Sequence, residues 1–491
     1  MSTPSPISAV SIRPPRSDEQ AALQNNPLLP ILEVQREAFL QRGIPSVEDR
    51  VRALETLGRA VGEYSEKLVA AVQADFGHRS PHETYATEVL GVLAEIKFTK
   101  GKIKKWTKPK KPAFGGLPGG RIVYQPKGVI GIMGAWNYPV MLSLSPLIGV
   151  LAAGNHAMLK PSDMTPRTAE VMAELISRNF SEDYVKVITG DVKAAIDFSA
   201  LPYDHLMYTG NTEIGRQVMI AAAKNLTPVT LELGGKSPTI IADNFPIEEA
   251  IARVMMGKSM NAGQTCIAPD YVLINNNRIS ELVAAFQAAA TKRYPSVADN
   301  QDITWIVNDR HYQRVNSMIE DAREKGAMVT QVNPRNETIP EGSRVIPLTI
   351  ITNTTDDMRV MQEEIFGPVL PVKGVESMDE AFRFVKSRPR PLALYYFDSD
   401  KKKGEQIMNE TIAGGACVND TVVHLANMNM PFGGTGDSGI GAYHGFDGFC
   451  EFSHKKAVQM SSAKFSPTAL LGRPYPEVAL KFMKKAAKWL S

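Results

Sequence analysis

At 491 residues the chain is long for one hydrophobic core, and two or three domains are expected. Its 43% hydrophobic and 22% charged residues are ordinary for a globular protein, and 55 Lys and Arg against 52 Asp and Glu leave a net charge of +3, which gives no bulk electrostatic reason to expect nucleic acid. The three cysteines, Cys266, Cys417 and Cys450, form no CxxC pair, which argues against a disulfide scaffold and against a cysteine-rich zinc site, and so for no metal. Reduced thiols in the cytoplasm fit best.

The first twenty residues are polar and proline-rich, without the apolar core of a secretory signal, and read as a disordered arm. Helical periodicity runs over 34–72. The basic run 100–111 reads as a solvated helix end entering a Pro/Gly-rich loop. No Lys, Arg, Asp or Glu occurs over 128–157, which is long enough to span a bilayer, but Asn137-Tyr138-Pro139, Pro146 and several glycines break it into strand, turn, helix and strand, so no integral span is expected. Strands are expected at 129–133, 157–159, 184–188, 205–208 and 229–233, with helices at 141–153, 192–198 and 213–223 between them. That alternation predicts a doubly wound parallel sheet of nucleotide-binding type. After Gly234-Gly235 it restarts, with strands at 239–241 and 271–274 and helices at 247–256 and 279–291. A second α/β domain is expected from about Gly234 to Pro431. The C-terminal stretch from Pro476 is basic and amphipathic; packing on its own domain is expected, with contact to an anionic membrane surface as the alternative.

Cys266 follows the small, polar run Asn261-Ala262-Gly263-Gln264-Thr265. A lone cysteine is usually core packing, but this context permits the exposure that a reactive thiol needs. Glu232 lies in an apolar strand that ends in two glycines; burial would raise its pKa and suit it to general-base work, whereas pairing with Lys236 would make it structural. Asn137, at the expected strand end before Pro139, could stabilise an oxyanion or merely form the turn. The segment from Gly210 to Gly215, including Asn211, joins a strand to a helix, where a pyrophosphate could meet a helix N-terminus, although it lacks the GxGxxG fingerprint. Lys160-Pro161-Ser162 closes another strand and could touch ribose or phosphate. Glu364 and Phe366, in the run Glu363–Pro368, could hold a ribose and abut a nicotinamide.

In order along the chain, GAWNYP, KPS, TGNTEIG, LELGGK, GQTC, EEIFGP and PFGG resemble the aldehyde dehydrogenase superfamily over about 128–445. Finer features, TCIAPDY and PFGGTGDSGIGAYHG among them, resemble its class 3 branch, and GGRIVYQPKGVIGI with the long N-terminal segment is similar to the bacterial coniferyl aldehyde dehydrogenases in it. The resemblance implies an α/β fold of two doubly wound parallel-sheet domains plus a small β-rich oligomerisation element. The expected divisions are a cofactor domain over 1–233, with 106–127 in the oligomerisation element, a catalytic domain over 234–431, and a return to the cofactor domain and tail over 432–491. It implies NAD or NADP as cofactor, an aromatic or medium-chain aldehyde as substrate, and a homodimer. Cys266 would be the thiolate nucleophile, Asn137 and the Cys266 backbone N–H the oxyanion hole, and Glu232 the base that releases the acid. Lys160 would bind the adenosine ribose, Glu364 the nicotinamide ribose with Phe366 against the ring, and Trp136 and Gly210 would line the cofactor cleft. Tyr138, Tyr443 and His444 are candidates for the substrate tunnel. Two departures stand out: Asn211 where the family usually has Ser, and Asp163 where it usually has Glu, which bears on the choice between NAD and NADP. The rival readings are a coenzyme A-acylating dehydrogenase, a cysteine hydrolase pairing Cys266 with His444, and a non-catalytic binding protein on the same fold.

Overall fold

The computed structural model describes residues 23–112, 119–461 and 477–491. The expected N-terminal arm lies outside them. The long helical periodicity resolves into three helices, Leu29–Arg42, Val47–Glu63 and Ser65–Phe76. The single helix is broken because Gly43 ends the first with φ of 66° and Pro45 cannot continue it, after which Ser46 and Asp49 cap the second reciprocally.

Two sheets follow. The first has six strands in the order Gly439–Ile440, Val229–Glu232, His205–Thr209, Val129–Met133, His156–Lys160 and Val185–Val187. All pairings are parallel except that of the short Gly439–Ile440, which returns from far along the chain to the edge of the sheet. Its central strand, Val129–Met133, is buried throughout, as a strand covered on both faces must be. The helix Met141–Ala153 is apolar on every side and nearly all buried, which accounts for the uncharged stretch without a membrane. Among the described residues no helix is long and apolar enough to cross a bilayer.

The second sheet begins as soon as the chain leaves Glu232. It has seven strands, Gly415–Val418, Ala393–Phe397, Pro238–Ile241, Tyr271–Asn275, Val369–Val375, Thr349–Thr352 and Met328–Gln331, parallel except for the last. A separate antiparallel ribbon pairs Gly120–Pro126 with Ser453–Gln459. The basic run ends the helix Leu90–Trp106, as expected. The C-terminal helix Glu477–Leu490 buries none of its residues, so the expected packing on its own domain is not found; Phe482 and Trp489 stand open to solvent.

Asn155 ties these parts together from full burial. Its Oδ1 accepts from the backbone N–H groups of Lys127 (2.6 Å) and Gly128 (3.0 Å), and its Nδ2 donates to the Phe452 carbonyl (2.8 Å) before the ribbon strand. Asn155→Ala strands these groups in the core, and a stability loss of about 2–4 kcal/mol is expected in denaturant unfolding. A midpoint equal to wild type would contradict this account of the joint.

Candidate active site

Loops at the carboxyl ends of the first sheet's parallel strands face loops of the second across a cleft of 610 Å³. Open α/β sheets bind ligands at such ends. Of the expected residues, Trp136, Asn137, Gly210, Asn211, Glu232, Cys266, Glu364 and Phe366 line it. Lys160, Asp163, Gly215, Tyr138, Tyr443 and His444 lie outside its wall.

Asn137 follows the strand Val129–Met133 and precedes the helix Met141–Ala153. Its Nδ2 donates to the Gln264 carbonyl at 3.1 Å, two residues before Cys266, so the oxyanion candidate and the thiol are held on one hydrogen-bonded frame. Cys266 is reached through a strained turn. Asn261 and Ala262 both have φ of 51°, and Gly263 has φ of 72°. A Cβ at Gly263 would lie 2.3 Å from the Gly367 carbonyl oxygen, so only glycine lets the nucleophile loop meet the Glu364 loop. Gln264 pins the turn, donating to Asn261 and Trp305 carbonyls and accepting from Val307 N–H. The thiol is half-buried, and burial, with the charges of Glu364 and Glu232, pushes its pKa up to about 12. The thiolate is therefore not preformed.

Glu232 ends its strand almost fully buried, and neither carboxyl oxygen has a hydrogen-bond partner. Burial, helped by the Glu451 charge, holds its pKa well above the usual carboxylate range. The alternative of an ion pair with Lys236 does not hold. Lys236 instead binds Asp270 and the carbonyls of Val360 (2.8 Å) and Glu363 (2.9 Å). This pulls the cation away from Glu232 and anchors the loop that carries Glu364.

Glu364 and Phe366 enter on that loop. Arg314 donates to the carbonyls of Glu364 (3.1 Å) and Ile365 (2.5 Å), and Asp270 accepts from Ile365 N–H (3.0 Å). Burial raises the Glu364 pKa to about 8, and its Oε1 has no partner. A Cβ at Gly234 would collide with the Glu364 carboxyl at 2.0 Å, so a glycine two residues after Glu232 makes room for it. Phe366, at φ of 52°, stands edge-on to Trp136 (centroids 5.3 Å apart), and Trp136 also meets His311 at 5.0 Å. His311 has no partner on either ring nitrogen, and burial lowers its pKa to about 4, so it is neutral.

Asn211 caps the helix Thr212–Ala223 at the cleft edge, accepting from Glu213 N–H (2.8 Å) and Ile214 N–H (3.4 Å). Gly215 lies inside that helix, where a Cβ would strike Leu233. Lys160 is buried at its strand end and donates to the Pro161 carbonyl (2.9 Å), with the charges of Asp163 and Asp191 near it; Asp163 itself is exposed. Tyr138 is buried and bonds the Thr265 hydroxyl at 2.8 Å. Tyr443 is buried within the electrostatic reach of both Glu232 and Cys266. His444 stacks on Phe432, has an unpartnered Nδ1, and is neutral because burial lowers its pKa to about 4. Its Nδ1 makes no hydrogen bond to Cys266, so the thiol–imidazole pair of a cysteine hydrolase is not formed here.

Lys236, Asp270, Arg314 and His311 were not read from the sequence as site residues. Lys236 was visible beside the Gly234-Gly235 pair but was read only as a partner for Glu232. Arg314 and His311 lie in a helix, Asp309–Glu324, that carries no motif.

The model of the aldehyde dehydrogenase family matches residues 31–458. A protein of Caulobacter vibrioides named probable coniferyl aldehyde dehydrogenase is 45% identical over 475 residues, 95% of this chain and 97% of its own length. The substrate-bound structure of Staphylococcus aureus AldH superposes with a TM-score of 0.86 at 35% identity, covering 94% of this chain and 99% of that one. A Mycobacterium tuberculosis aldehyde dehydrogenase complexed with NAD+ gives 0.79 at 27% identity, covering 91% of each.

The buried thiol supports a direct check. With no ligand added, alkylation of Cys266 is expected to climb about tenfold per pH unit through and beyond the ordinary thiol range of ~8.5. A rate that levels off near neutral pH would show a preformed thiolate and contradict the raised pKa.

Proposed function

The chain belongs to the aldehyde dehydrogenase family, an enzyme that oxidises an aldehyde to its carboxylic acid, and on that premise we propose how its cleft performs the reaction. Cys266 gives up its thiol proton to solvent water in the cleft and adds through sulfur to the aldehyde carbon. The carbonyl oxygen takes up negative charge facing the Asn137 side-chain amide and the Cys266 backbone N–H. Loss of hydride leaves a thioester on Cys266. The Glu232 carboxylate then takes a proton from water, the water oxygen bonds to the thioester carbon, the C–S bond breaks, and the acid departs as the sulfur regains a proton.

The single observation that carries this reading is the unpartnered, buried carboxyl of Glu232 lining the same cleft as Cys266. It favours hydrolysis over transfer to coenzyme A, because hydrolysis needs a base and a structural glutamate would be paired.

The donor set fits a nicotinamide dinucleotide. Glu364 offers a free buried oxygen to a ribose hydroxyl, Gly234 keeps the approach open, Trp136 and Phe366 supply aromatic walls, Gly210 and the helix start at Asn211 face the phosphates, and Lys160 with Asp163 serves the adenosine end. When bound, NAD or NADP supplies the hydride acceptor. Asp163 is exposed and leaves both cofactors open. Tyr138, Tyr443 and His444, buried outside the cleft wall, are assigned to the substrate side, Tyr443 through its electrostatic coupling to Glu232 and Cys266. The likeness to the Caulobacter protein supports an aromatic aldehyde of the coniferyl type as substrate.

The divisions at 1–233, 234–431 and 432–491, with 106–127 in an oligomerisation element, follow the change of sheet after Glu232 and the return at Gly439–Ile440. Two-stranded ribbons are marginal alone, and Gly120–Pro126 with Ser453–Gln459 is suited to pairing with a second copy, as a homodimer in the cytoplasm. The exposed basic helix Glu477–Leu490 leaves contact with an anionic membrane surface as the alternative to burial in that dimer.

A steady-state panel of aliphatic, aromatic and cinnamyl-type aldehydes with NAD and with NADP is expected to give the highest kcat/KM for the cinnamyl type, with acid formed without coenzyme A. Cys266→Ala is expected to abolish turnover while still binding cofactor. Strict dependence on coenzyme A would overturn the hydrolytic reading, and turnover by Cys266→Ala would overturn the nucleophile.

A further inference from the structure

Behind the cleft, and outside its wall, lies an ion pair that the reaction as described does not use. Arg79 and Glu88 are both fully buried, with Nη1 and Oε1 2.7 Å apart. Replacing a buried ion pair by well-packed apolar groups is often neutral or even stabilising, so stability alone is a poor reason for one. What this pair touches is specific. Arg79 Nη1 also donates to the Asn137 carbonyl at 3.1 Å, and its guanidinium lies over the Tyr138 ring, 4.9 Å from the centroid. The second carboxyl oxygen of Glu88 accepts from Val140 N–H (2.7 Å) and Met141 N–H (3.3 Å). Asn137, Tyr138, Val140 and Met141 are thus all held by one pair, and only Pro139, which has no N–H to offer, is untouched.

The local chain is built to deliver these groups. Glu88 belongs to a single π-helical turn, Tyr85–Val89, between two α-helical segments, a widening of the kind that recurs at functional sites. Val140 and Met141 begin the helix Met141–Ala153, which has no side-chain cap of its own; Glu88 caps it from outside. Two residues upstream of the π turn, in the short helix Pro81–Thr84, Glu83 accepts from the Asn261 backbone N–H and from the Thr304 hydroxyl (2.8 Å). Asn261 in turn donates from Nδ2 to the Asn137 carbonyl (2.9 Å) and to the Gln264 carbonyl (3.1 Å). Residues 79–88 therefore grip both loops that would form the oxyanion site.

We infer that Arg79 and Glu88 are positioning residues that act through the backbone of residues 137–141 to aim the Asn137 amide at the oxyanion. The inference rests on the reading of Asn137 as the oxyanion donor. An amide that donates to the developing charge must stand within a few tenths of an ångström of its place before the charge forms, because reorganisation at that moment is what preorganisation avoids. Asn137 is one residue of a loop that ends in proline, and its carbonyl is its only backbone tether to this pair. Removing the tether leaves the amide with its bond to the Gln264 carbonyl and the Asn261 bond to its own carbonyl, but frees the backbone of 137–141 to shift and loosens its aim.

The test is a thermodynamic cycle on the full-length enzyme. Arg79→Met with Glu88→Leu removes both charges together and leaves neither unpaired. Single-turnover reduction of NAD by a saturating aromatic aldehyde is followed for this pair variant, for Asn137→Ala, and for the triple variant. The pair variant is expected to fall about tenfold or more in single-turnover rate, with KM and the dissociation constant for NAD within about twofold of wild type; its thermal midpoint falls because Val140 and Met141 N–H lose their acceptor, but it stays folded at the assay temperature. Asn137→Ala is expected to fall about 100-fold or more. The triple variant is expected to be no slower than Asn137→Ala, because the pair has nothing left to aim. A pair variant at the wild-type rate overturns the inference, and so do losses that multiply in the triple variant. Should Asn137→Ala itself keep the wild-type rate, the oxyanion role of Asn137 falls, and a slow pair variant would then carry a defect not routed through that amide, which also overturns the inference. Arg79→Lys keeps the charge but loses the fork; if the pair variant does not fold, a slower single turnover at unchanged KM in Arg79→Lys supports positioning, and a wild-type rate overturns it.

Discussion

A carboxyl group buried without a hydrogen-bond partner is costly, and Glu232 carries two such oxygens at the point where the chain leaves one sheet for the other. Much of the site can be read as what keeps that group in place and without a cation partner. Lys236, four residues on, could reach a carboxylate, but Asp270 and two carbonyls take up its ammonium group. Gly234 gives Glu364 room to approach without closing on Glu232. Glu451 faces Glu232 from the returning C-terminal segment and raises its pKa further, while its own carboxylate is bonded by the Thr230 hydroxyl (2.6 Å). The product of this arrangement is a carboxyl whose pKa burial and the Glu451 charge hold well above the usual carboxylate range.

Strain marks the same place. Asn261, Ala262, Phe366 and His444 all adopt left-handed φ, and three of the four lie on the loops that carry Cys266 and Glu364. Such conformations cost about 1–3 kcal/mol each and persist only where surrounding contacts over-determine them. Those contacts are present: Gln264 and Glu83 for the nucleophile loop, and Arg314 and Asp270 for the Glu364 loop. These contacts, which offset the strain, hold two loops of distant sequence together where Gly263 meets Gly367.

How much of this the sequence could show depends on range. The strand Val129–Met133 and the helix Met141–Ala153 were legible because apolar runs and periodicity are local signals, and Cys266, Glu232 and Glu364 because motifs surround them. The strands Thr349–Thr352 and Gly415–Val418 were not read, since a run of four residues carries little periodicity. The break at Gly43 and Pro45 was visible as residue types but was outweighed by the helical pattern on both sides. Arg79, Glu88 and Asn155 were illegible for a different reason. Their importance lies in partners 50 to 300 positions away, such as Asn155 with Phe452 at a separation of 297, and a single sequence does not record such pairs. Lys236 was misread because nearness in sequence suggested Glu232, whereas Asp270 is the nearer in space.

The central claim is that Cys266 carries an acyl group that Glu232 releases. It is tested most directly by quenching the enzyme during turnover of an aromatic aldehyde with NAD and weighing its peptides. In Glu232→Gln the peptide containing Cys266 is expected to gain the mass of the acyl group in near-stoichiometric amount, while the wild-type peptide shows little. An acyl group on Cys417 or Cys450, or no accumulation in Glu232→Gln beyond wild type, would contradict the account.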